Sequence, residues 1–319
     1  MTFTTAVRVS EVTEEAIDIR SLRLVSVDGS PLGPYEAGAH VDVVGPTGVL
    51  RQYSLCSPPD DPGSLLIAVK REPESRGGSV ALHEIQVGDK LGIGSPRNLL
   101  SVAPDADRHL LVAGGIGITP LLSMTYALQR DGAEFSLHYF ARSRAEAAFV
   151  ELLEHEPGFR GRVQLHLGLK PDEQPAVLGR AAAGLTTRSQ VYTCGPDPFM
   201  TQVGEVLGPV VGTDNVHTES FVAAEIDTSD DTAFTIELDT GVEFEVPADR
   251  SVLGVLGDNG IEVFKSCEEG ICGSCVSGVL DGVPDHRDSC LSAADRAAND
   301  QMALCVSRAR TARLKIELY

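Results

Sequence analysis

Four cysteines toward the end of the chain constrain it more than any other feature. Cys267, Cys272 and Cys275 follow the pattern C-x₄-C-x₂-C, and 29 residues separate Cys275 from Cys305. That spacing is the one by which four thiolates surround a [2Fe–2S] cluster. Gly270 and Gly273 fall inside the loop, where backbone free of side chains can wrap inorganic sulfide with its N–H groups turned inward. Zinc competes for such ligands, but its sites pair two short knuckles, whereas Cys305 stands alone in the apolar run Met302-Ala303-Leu304-Cys305-Val306. Four unrelated buried cysteines would rarely adopt this register. A cluster of this kind carries one electron at a time, so the remaining sequence has to supply a source and a destination for electrons.

The 319 residues allow two or three domains, each with its own core. A net charge of −20 disfavours nucleic acid and anionic membrane as partners. The opening Met1-Thr2-Phe3-Thr4-Thr5 has no basic or apolar leader, and the most apolar stretch, His109 to Leu128, is broken by three glycines and Pro120. Outside the cluster pattern remain Cys56, Cys194 and Cys290. An odd number of leftover thiols suits a reducing compartment, so a cytoplasmic location is expected.

From Thr5 to Leu91 short strands alternate with turns: Ala16–Arg20, Leu22–Val27, His40–Val44 and Leu65–Val69. This pattern predicts a small antiparallel barrel. Within it lies Arg51-Gln52-Tyr53-Ser54. A flavin needs a cation for its phosphate, a flat aromatic face and a hydrogen-bonding group near ring N5, which Arg51, Tyr53 and Ser54 could supply in turn; an ordinary half-buried strand is the plainer reading. Alternation on a strand sends Arg51 and Tyr53 to one side. Further on, Val69-Lys70-Arg71 leads to Ser75-Arg76-Gly77-Gly78-Ser79, with Ser79 read as the N-cap of a helix over Val80–Ile85. Arg76 beside a glycine-opened helix start can hold a phosphate, though a surface turn with solvated charges fits equally.

From Arg108 strands and helices alternate, which predicts a parallel sheet with ligands at the strand C-terminal ends. Strands are expected at His109–Ala113, Glu134–Phe140, Val163–Leu167 and Val191–Cys194, and helices through Gln129, over Ala145–Leu153 and over Pro198–Val206. The loop Gly114-Gly115-Ile116-Gly117-Ile118-Thr119-Pro120 occupies a ligand-facing end, as does Cys194-Gly195-Pro196-Asp197. The first loop admits a pyrophosphate, although a glycine-rich turn alone is weakly specific. Cys194 reads equally as a small buried apolar residue.

Taken together, Arg51-x-Tyr53-Ser54, Gly77-Gly78-Ser79, Gly114 to Pro120, Cys194-Gly195-Pro196, His217-x-Glu219-x-Phe221 and the four cysteines resemble one family over nearly the whole chain. It is the phthalate dioxygenase reductase type of flavin-dependent iron–sulfur oxidoreductases, which includes vanillate demethylase reductases. The resemblance implies a multidomain fold: an antiparallel β-barrel for FMN (1–103), an α/β parallel-sheet NAD domain (104–223), a linker (224–232) and a plant-type ferredoxin domain of β-grasp form (233–319). It implies that Arg51, Gln52, Tyr53, Ser54, Val69, Lys70, Arg76, Gly77, Gly78 and Ser79 hold FMN. Gly115, Thr119, Cys194, Gly195, Pro196 and Asp197 would then form the NADH groove, and Phe221 would cover the flavin. Ser54, Thr119, Cys194 and Phe221 would stand nearest the reacting atoms. NADPH stays open as a donor, because Arg142 and Arg144 follow the second strand of the middle domain, where arginines can accept a 2′-phosphate.

The implied function is an NADH-dependent reductase component that passes single electrons to an oxygenase. A Rieske-type partner acting on aromatic compounds is favoured over a cytochrome P450, and the chain is expected to be a monomer. A redox sensor with a structural cluster is the alternative outside catalysis. From Ile226 onward the chain carries 18 acidic and 8 basic side chains. This is a solvated acidic surface or a docking face for a basic partner.

Overall fold

The computed structural model describes residues 5–72, 77–223 and 226–318. The chain divides into two compact units, Met1–Glu219 and Ser220–Tyr319.

The first unit opens with β1 (Thr5–Ala16), β2 (Ile19–Ser26), β3 (His40–Val44), β4 (Leu50–Ser54), β5 (Leu65–Lys70), the short helix α1 (Gly78–Leu82) and β6 (Lys90–Ile93). The strands pair antiparallel in the order β4-β3-β6-β1-β2-β5. The two edges then meet: Leu55 bridges Ile67, and the Cys56 amide donates to the Leu66 carbonyl at 2.8 Å. Closure removes the open edges and makes the expected barrel. Its interior is filled by Val7, Val9, Leu22, Leu24, Val41 and Ile67. The expected strand at Ala16–Arg20 is instead a hairpin corner. Asp18 takes φ 57 there, a left-handed value that aspartate tolerates, and Ile17 points outward.

The second layer of this unit comprises β7 (His109–Gly114), α2 (Ile118–Arg130), β8 (Phe135–Ala141), α3 (Val150–His155), β9 (Val163–Leu167), α4 (Gln174–Ala181), β10 (Gln190–Cys194), α5 (Asp197–Val211) and β11 (Val216–Glu219). All strands run parallel in the order β11-β10-β7-β8-β9. Every residue of β7 is buried, because a central parallel strand packs on both faces. The chain steps outward from β7 to β9, then returns to the other side of β7 for β10. The switch point therefore lies between the C-terminal ends of β7 and β10, where such sheets bind ligands. The helix expected at Ala145–Leu153 starts later, because Phe149 adopts φ 62 and Ala147, Ala148 and Phe149 plug the core. Neither α4, whose stretch contains Pro175 and Gly179, nor the four-residue β11 is among the expected elements.

Barrel and parallel layer share one core, in which Ile19, Cys56 and Leu100 join Leu111, Leu121, Tyr139 and Phe149. The Gly38 amide donates to Ser123 Oγ at 2.9 Å and the Ala103 amide to the Tyr192 hydroxyl at 2.8 Å.

The second unit contains β12 (Phe234–Leu238), β13 (Glu243–Val246), α6 (Val252–Asp258), β14 (Val276–Asp281), β15 (Pro284–Asp285), α7 (Ala293–Ala298), β16 (Gln301–Ala303), β17 (Arg308–Ala309) and β18 (Arg313–Glu317). Its main sheet runs β13-β12-β18-β14-β16, with β12 and β18 parallel at its heart. Ser251 caps α6 as expected, accepting from the Gly254 amide at 3.1 Å. Asp231, in the stretch expected as a linker, accepts from Arg287 Nη1 at 2.9 Å. Among the described residues no helix is long and apolar enough to cross a membrane.

Two glycines of the first unit should respond oppositely to alanine. A Cβ on Gly117 would fall 2.1 Å from the Cys194 carbonyl oxygen, whereas one on Gly204, inside α5, meets nothing within 4 Å. In urea titrations Gly117→Ala should lose about 1–3 kcal/mol. Gly204→Ala should gain about 0.5–1 kcal/mol.

Candidate active site and cluster centre

Of the sequence pieces expected at a flavin, the structure brings the Gly77-Gly78-Ser79 turn against Arg51 of β4. On β4 the residues alternate, so Arg51 and Tyr53 face one way while Gln52 and Ser54 face the other, beside Asp42 and His40 of the partner strand. Gln52 is turned to structure: its Nε2 donates to Asp42 Oδ1 at 2.8 Å, and Asp42 also receives Arg97 Nη1 and Nη2 at 2.7 and 2.9 Å. Gly78 lies against Arg51, since a Cβ there would sit 2.9 Å from Arg51 Cγ. Arg51 and the Gly77-Gly78-Ser79 turn, separate in sequence, are thus neighbours. Ser79 is not the helix cap: Gly77 holds that position, and Ser79 Oγ accepts from the Glu72 amide at 3.1 Å. Val69 is buried, its carbonyl facing His83 Nε2 at 2.9 Å, and Lys70 Nζ reaches Glu72 at 2.6 Å. Arg76 lies outside the described residues.

At the switch point the two expected loops press together. Gly117 backs onto the Cys194 carbonyl, and a Cβ on Gly195 would stand 3.0 Å from Gly114 Cα. Gly115 takes φ 57 at the loop's entry. Thr119 is buried and donates to the Ile116 carbonyl at 2.9 Å. The Cys194 thiol is buried, and that burial raises its pKa, which keeps it protonated. Pro196 precedes α5, and Asp197 stands exposed in its first turn. Arg142 is exposed beyond the end of β8. Phe221 is 40% exposed at the start of the second unit.

Two residues receive no role from sequence reasoning: His40 and Glu219. Glu219 ends β11 opposite Cys194 on β10, and His40 sits opposite Ser54 on the barrel. His40 Nδ1 is 3.9 Å from Glu219 Oε1. Burial pushes the Glu219 carboxyl up to about 8, and burial with the nearby Arg97 pushes His40 down to about 4. At neutral pH the pair is therefore uncharged. Ser54 Oγ, both His40 ring nitrogens and Glu219 Oε2 are buried without a hydrogen-bond partner. Orphaned polar atoms gathered in one place are the mark of a site whose partners arrive with a ligand, so the residues present fit a polar cofactor ring. The signal for Glu219 is in the His217-x-Glu219-x-Phe221 motif; His40 has none.

In the second unit the four cysteines are buried around one loop. Glu268, Gly270 and Gly273 take φ of 59, 75 and 69, winding the loop so that the Cys267 amide donates to Cys272 Sγ and the Glu269 amide to Cys267 Sγ, both at 3.4 Å. A Cβ on Gly270 would meet Val306 Cγ2 at 2.7 Å, so only glycine lets the loop lie against the Cys305 segment. Among the described residues no three ligating side chains gather as a single-ion site requires. The thiols stand in two pairs instead: a hydrogen bond from Cys267 lowers the pKa of Cys272, and one from Cys305 lowers that of Cys275. Two pairs, with backbone N–H groups aimed at sulfur, fit a two-iron cluster. Cys290 is half-buried beside this core and donates to Asp288 Oδ2 at 3.4 Å.

The neutral pair leaves a measurable trace. Glu219 has a folded value near 8 against 4.5 for the free side chain, so its contribution to stability is complete below about pH 4.5 and is lost as pH rises through 8. His40 works the other way, its contribution being lost as pH falls from 6.5 through about 4. Glu219→Gln should therefore remove a fall of the urea midpoint that runs from about pH 4.5 to pH 8, seen most clearly above pH 6.5 where the opposing His40 contribution is already complete. An equal alkaline fall in both proteins would contradict the assignment.

Residues 236–310 match the model of the 2Fe-2S iron-sulfur cluster binding domain. The chain is 44% identical over 306 residues to vanillate O-demethylase oxidoreductase of Pseudomonas sp. (strain HR199 / DSM 7063), covering 95% of this chain and 96% of that one. Among solved structures, phthalate dioxygenase reductase, described as a modular structure for electron transfer from pyridine nucleotides to [2Fe-2S], superposes with a TM-score of 0.70 at 37% identity over 99% of this chain and 98% of that. An intact type IV self-sufficient cytochrome P450 monooxygenase superposes with a TM-score of 0.88 at 37% identity over 98% of this chain, which spans only 41% of that protein. Full-length identity to such proteins, with barrel, parallel sheet and cluster domain in one order, means that the chain belongs to the phthalate dioxygenase reductase family of flavin- and pyridine-nucleotide-dependent iron–sulfur oxidoreductases.

Proposed function

We propose that this chain is the NADH-dependent reductase component of a Rieske-type oxygenase or O-demethylase acting on aromatic compounds, using FMN and a [2Fe–2S] cluster. The observation that carries this reading is the coexistence, in one chain, of the orphaned polar set around Ser54 and the paired cluster thiols. When bound, the flavin accepts two electrons together and releases them singly, and the cluster carries them one at a time. A Rieske-type oxygenase is favoured over a P450 by the names of the relatives matched over nearly their whole length, a vanillate O-demethylase oxidoreductase and a phthalate dioxygenase reductase.

In this reading residues 1–103 hold FMN, 104–223 NADH and 233–319 the cluster, with 224–232 as the link, in a cytoplasmic monomer. Arg51 and the Gly77-Gly78-Ser79 turn, with Arg76, bind the phosphate; Tyr53 offers a flat face, and Val69 and Lys70 border the ring. Ser54 Oγ is the hydroxyl free to reach the reacting edge. Gly115, Gly195, Pro196 and Asp197 line the nucleotide groove, Thr119 and Cys194 exclude water from its floor, and Phe221 covers the flavin. Glu219 holds a proton on its carboxyl at neutral pH. No general acid or base is needed for the hydride itself, which depends on distance and orientation. Cys267, Cys272, Cys275 and Cys305 hold the two irons.

Anaerobic NADH titration, followed by absorbance and low-temperature EPR, tests the order of carriers. Wild type should bleach a flavin band and develop a rhombic cluster signal; Cys305→Ser should bleach the flavin and give no signal. If wild type bleaches without a cluster signal, the relay is wrong. The acidic surplus beyond Ile226 suits a basic face on the oxygenase. Raising ionic strength should then slow electron transfer to the oxygenase while leaving ferricyanide reduction unchanged, and equal salt responses would remove the docking role.

A further inference from the structure

The loop after β8 carries Arg142-Ser143-Arg144, and β8 lies beside β7, whose end bears the glycine loop. In parallel dinucleotide-binding sheets this neighbouring strand end meets the adenosine ribose, and a 2′-phosphate there requires a cation able to turn to it. Two arginines in the sequence suggest that NADPH could be used.

The structure shows Arg144 already engaged. Its Nη1 donates to Glu154 Oε1 at 2.7 Å and its Nη2 to Glu154 Oε2 at 2.6 Å, a two-pronged fork, and Nη2 also reaches Glu151 Oε1 at 3.3 Å. The carboxylates are three residues apart on α3, so one helix face presents both to one guanidinium. Arg144 in turn holds the Glu154 carboxyl below its usual range. The adjacent stretch repeats the theme: Ser143 Oγ donates to Glu146 Oε2 at 2.9 Å, and Arg142 Nη1 lies 3.7 Å from Glu146 Oε1. Arg142 and Arg144 thus face three glutamates, Glu146 in the loop and Glu151 and Glu154 on α3.

We infer that Glu151 and Glu154 make this site selective for NADH by occupying Arg144. This rests on the reductase reading above and adds to it the residues that set donor choice. An isolated exposed ion pair would be a weak device, since such pairs are worth little in water. Here a 2′-phosphate dianion would have to displace a bidentate carboxylate and then sit beside two released carboxylates. A ribose 2′-hydroxyl meets no such penalty and can donate to an acidic neighbour.

The measurement is kcat/KM for NADPH relative to NADH, with ferricyanide as acceptor, in holoprotein of checked flavin content and melting temperature. In Glu151→Gln/Glu154→Gln the ratio should rise by about tenfold or more, the size expected of one additional charge-assisted hydrogen bond to the phosphate. Adding Arg144→Ala to that variant should return it. Higher ionic strength should raise the wild-type ratio, because repulsion between exposed charges is screened, and should leave the double variant's ratio flat or lower it. A folded double variant whose ratio equals that of wild type, or a wild type that uses both donors equally, overturns the inference while leaving the reductase reading intact. A wild type that oxidises neither donor overturns the reductase reading itself.

Discussion

The structure of the first unit hangs on the contact between Gly117 and the Cys194 carbonyl. Two crossovers run in opposite directions from β7, and the loops that follow β7 and β10 meet at that switch point. The glycine brings the loop after β7 back against the Cys194 carbonyl at the end of β10. A side chain at Gly117 would clash with the Cys194 carbonyl and the Gly195 amide and push the two loops apart. β11 follows β10 in parallel register, which sets Glu219 opposite Cys194.

Across that seam the notable property is absence of charge. Burial drives a carboxylate and an imidazole in opposite directions along the pH scale, and in both cases toward the neutral form. Glu219 and His40, 3.9 Å apart, would be an ion pair in water; enclosed between two sheets they are an acid holding its proton and a base without one. Arg97, the nearby cation, is committed to Asp42 by two hydrogen bonds, so its charge is compensated where it stands. The result is a neutral, incompletely hydrogen-bonded patch made by Ser54, His40 and Glu219.

Much of this was legible in the sequence because the informative residues act locally. The cysteine spacing reports a loop that must wrap one object, and the backbone winds as the glycines require. The alternation on β4 and the glycine loop after β7 likewise speak for themselves. Ser79 misleads because serine before a helical run usually caps it, but Gly77 alone can take φ 93 and so claims the position. Ala145–Leu153 reads as a helix because small and apolar residues there plug a core, which composition cannot distinguish from a helical stripe. His40 could not have been found at all. Its role comes from pairing opposite Ser54 and facing Glu219, far along the chain, a relation that only the closed barrel creates.

The arginines after β8 make the same point in electrostatic form. Counted along the sequence, Arg142 and Arg144 are two positive charges at a phosphate-binding position. In space Arg144 is bound by carboxylates from the helix that follows it, and the local field has the opposite sign. The same holds for Asp231 in the second unit, which reads as linker charge and is in fact neutralised by Arg287 and Arg308. A charged residue in a sequence reports what could be bound. Whether it is available depends on the helix face or strand edge that reaches it first, and that is settled by the fold.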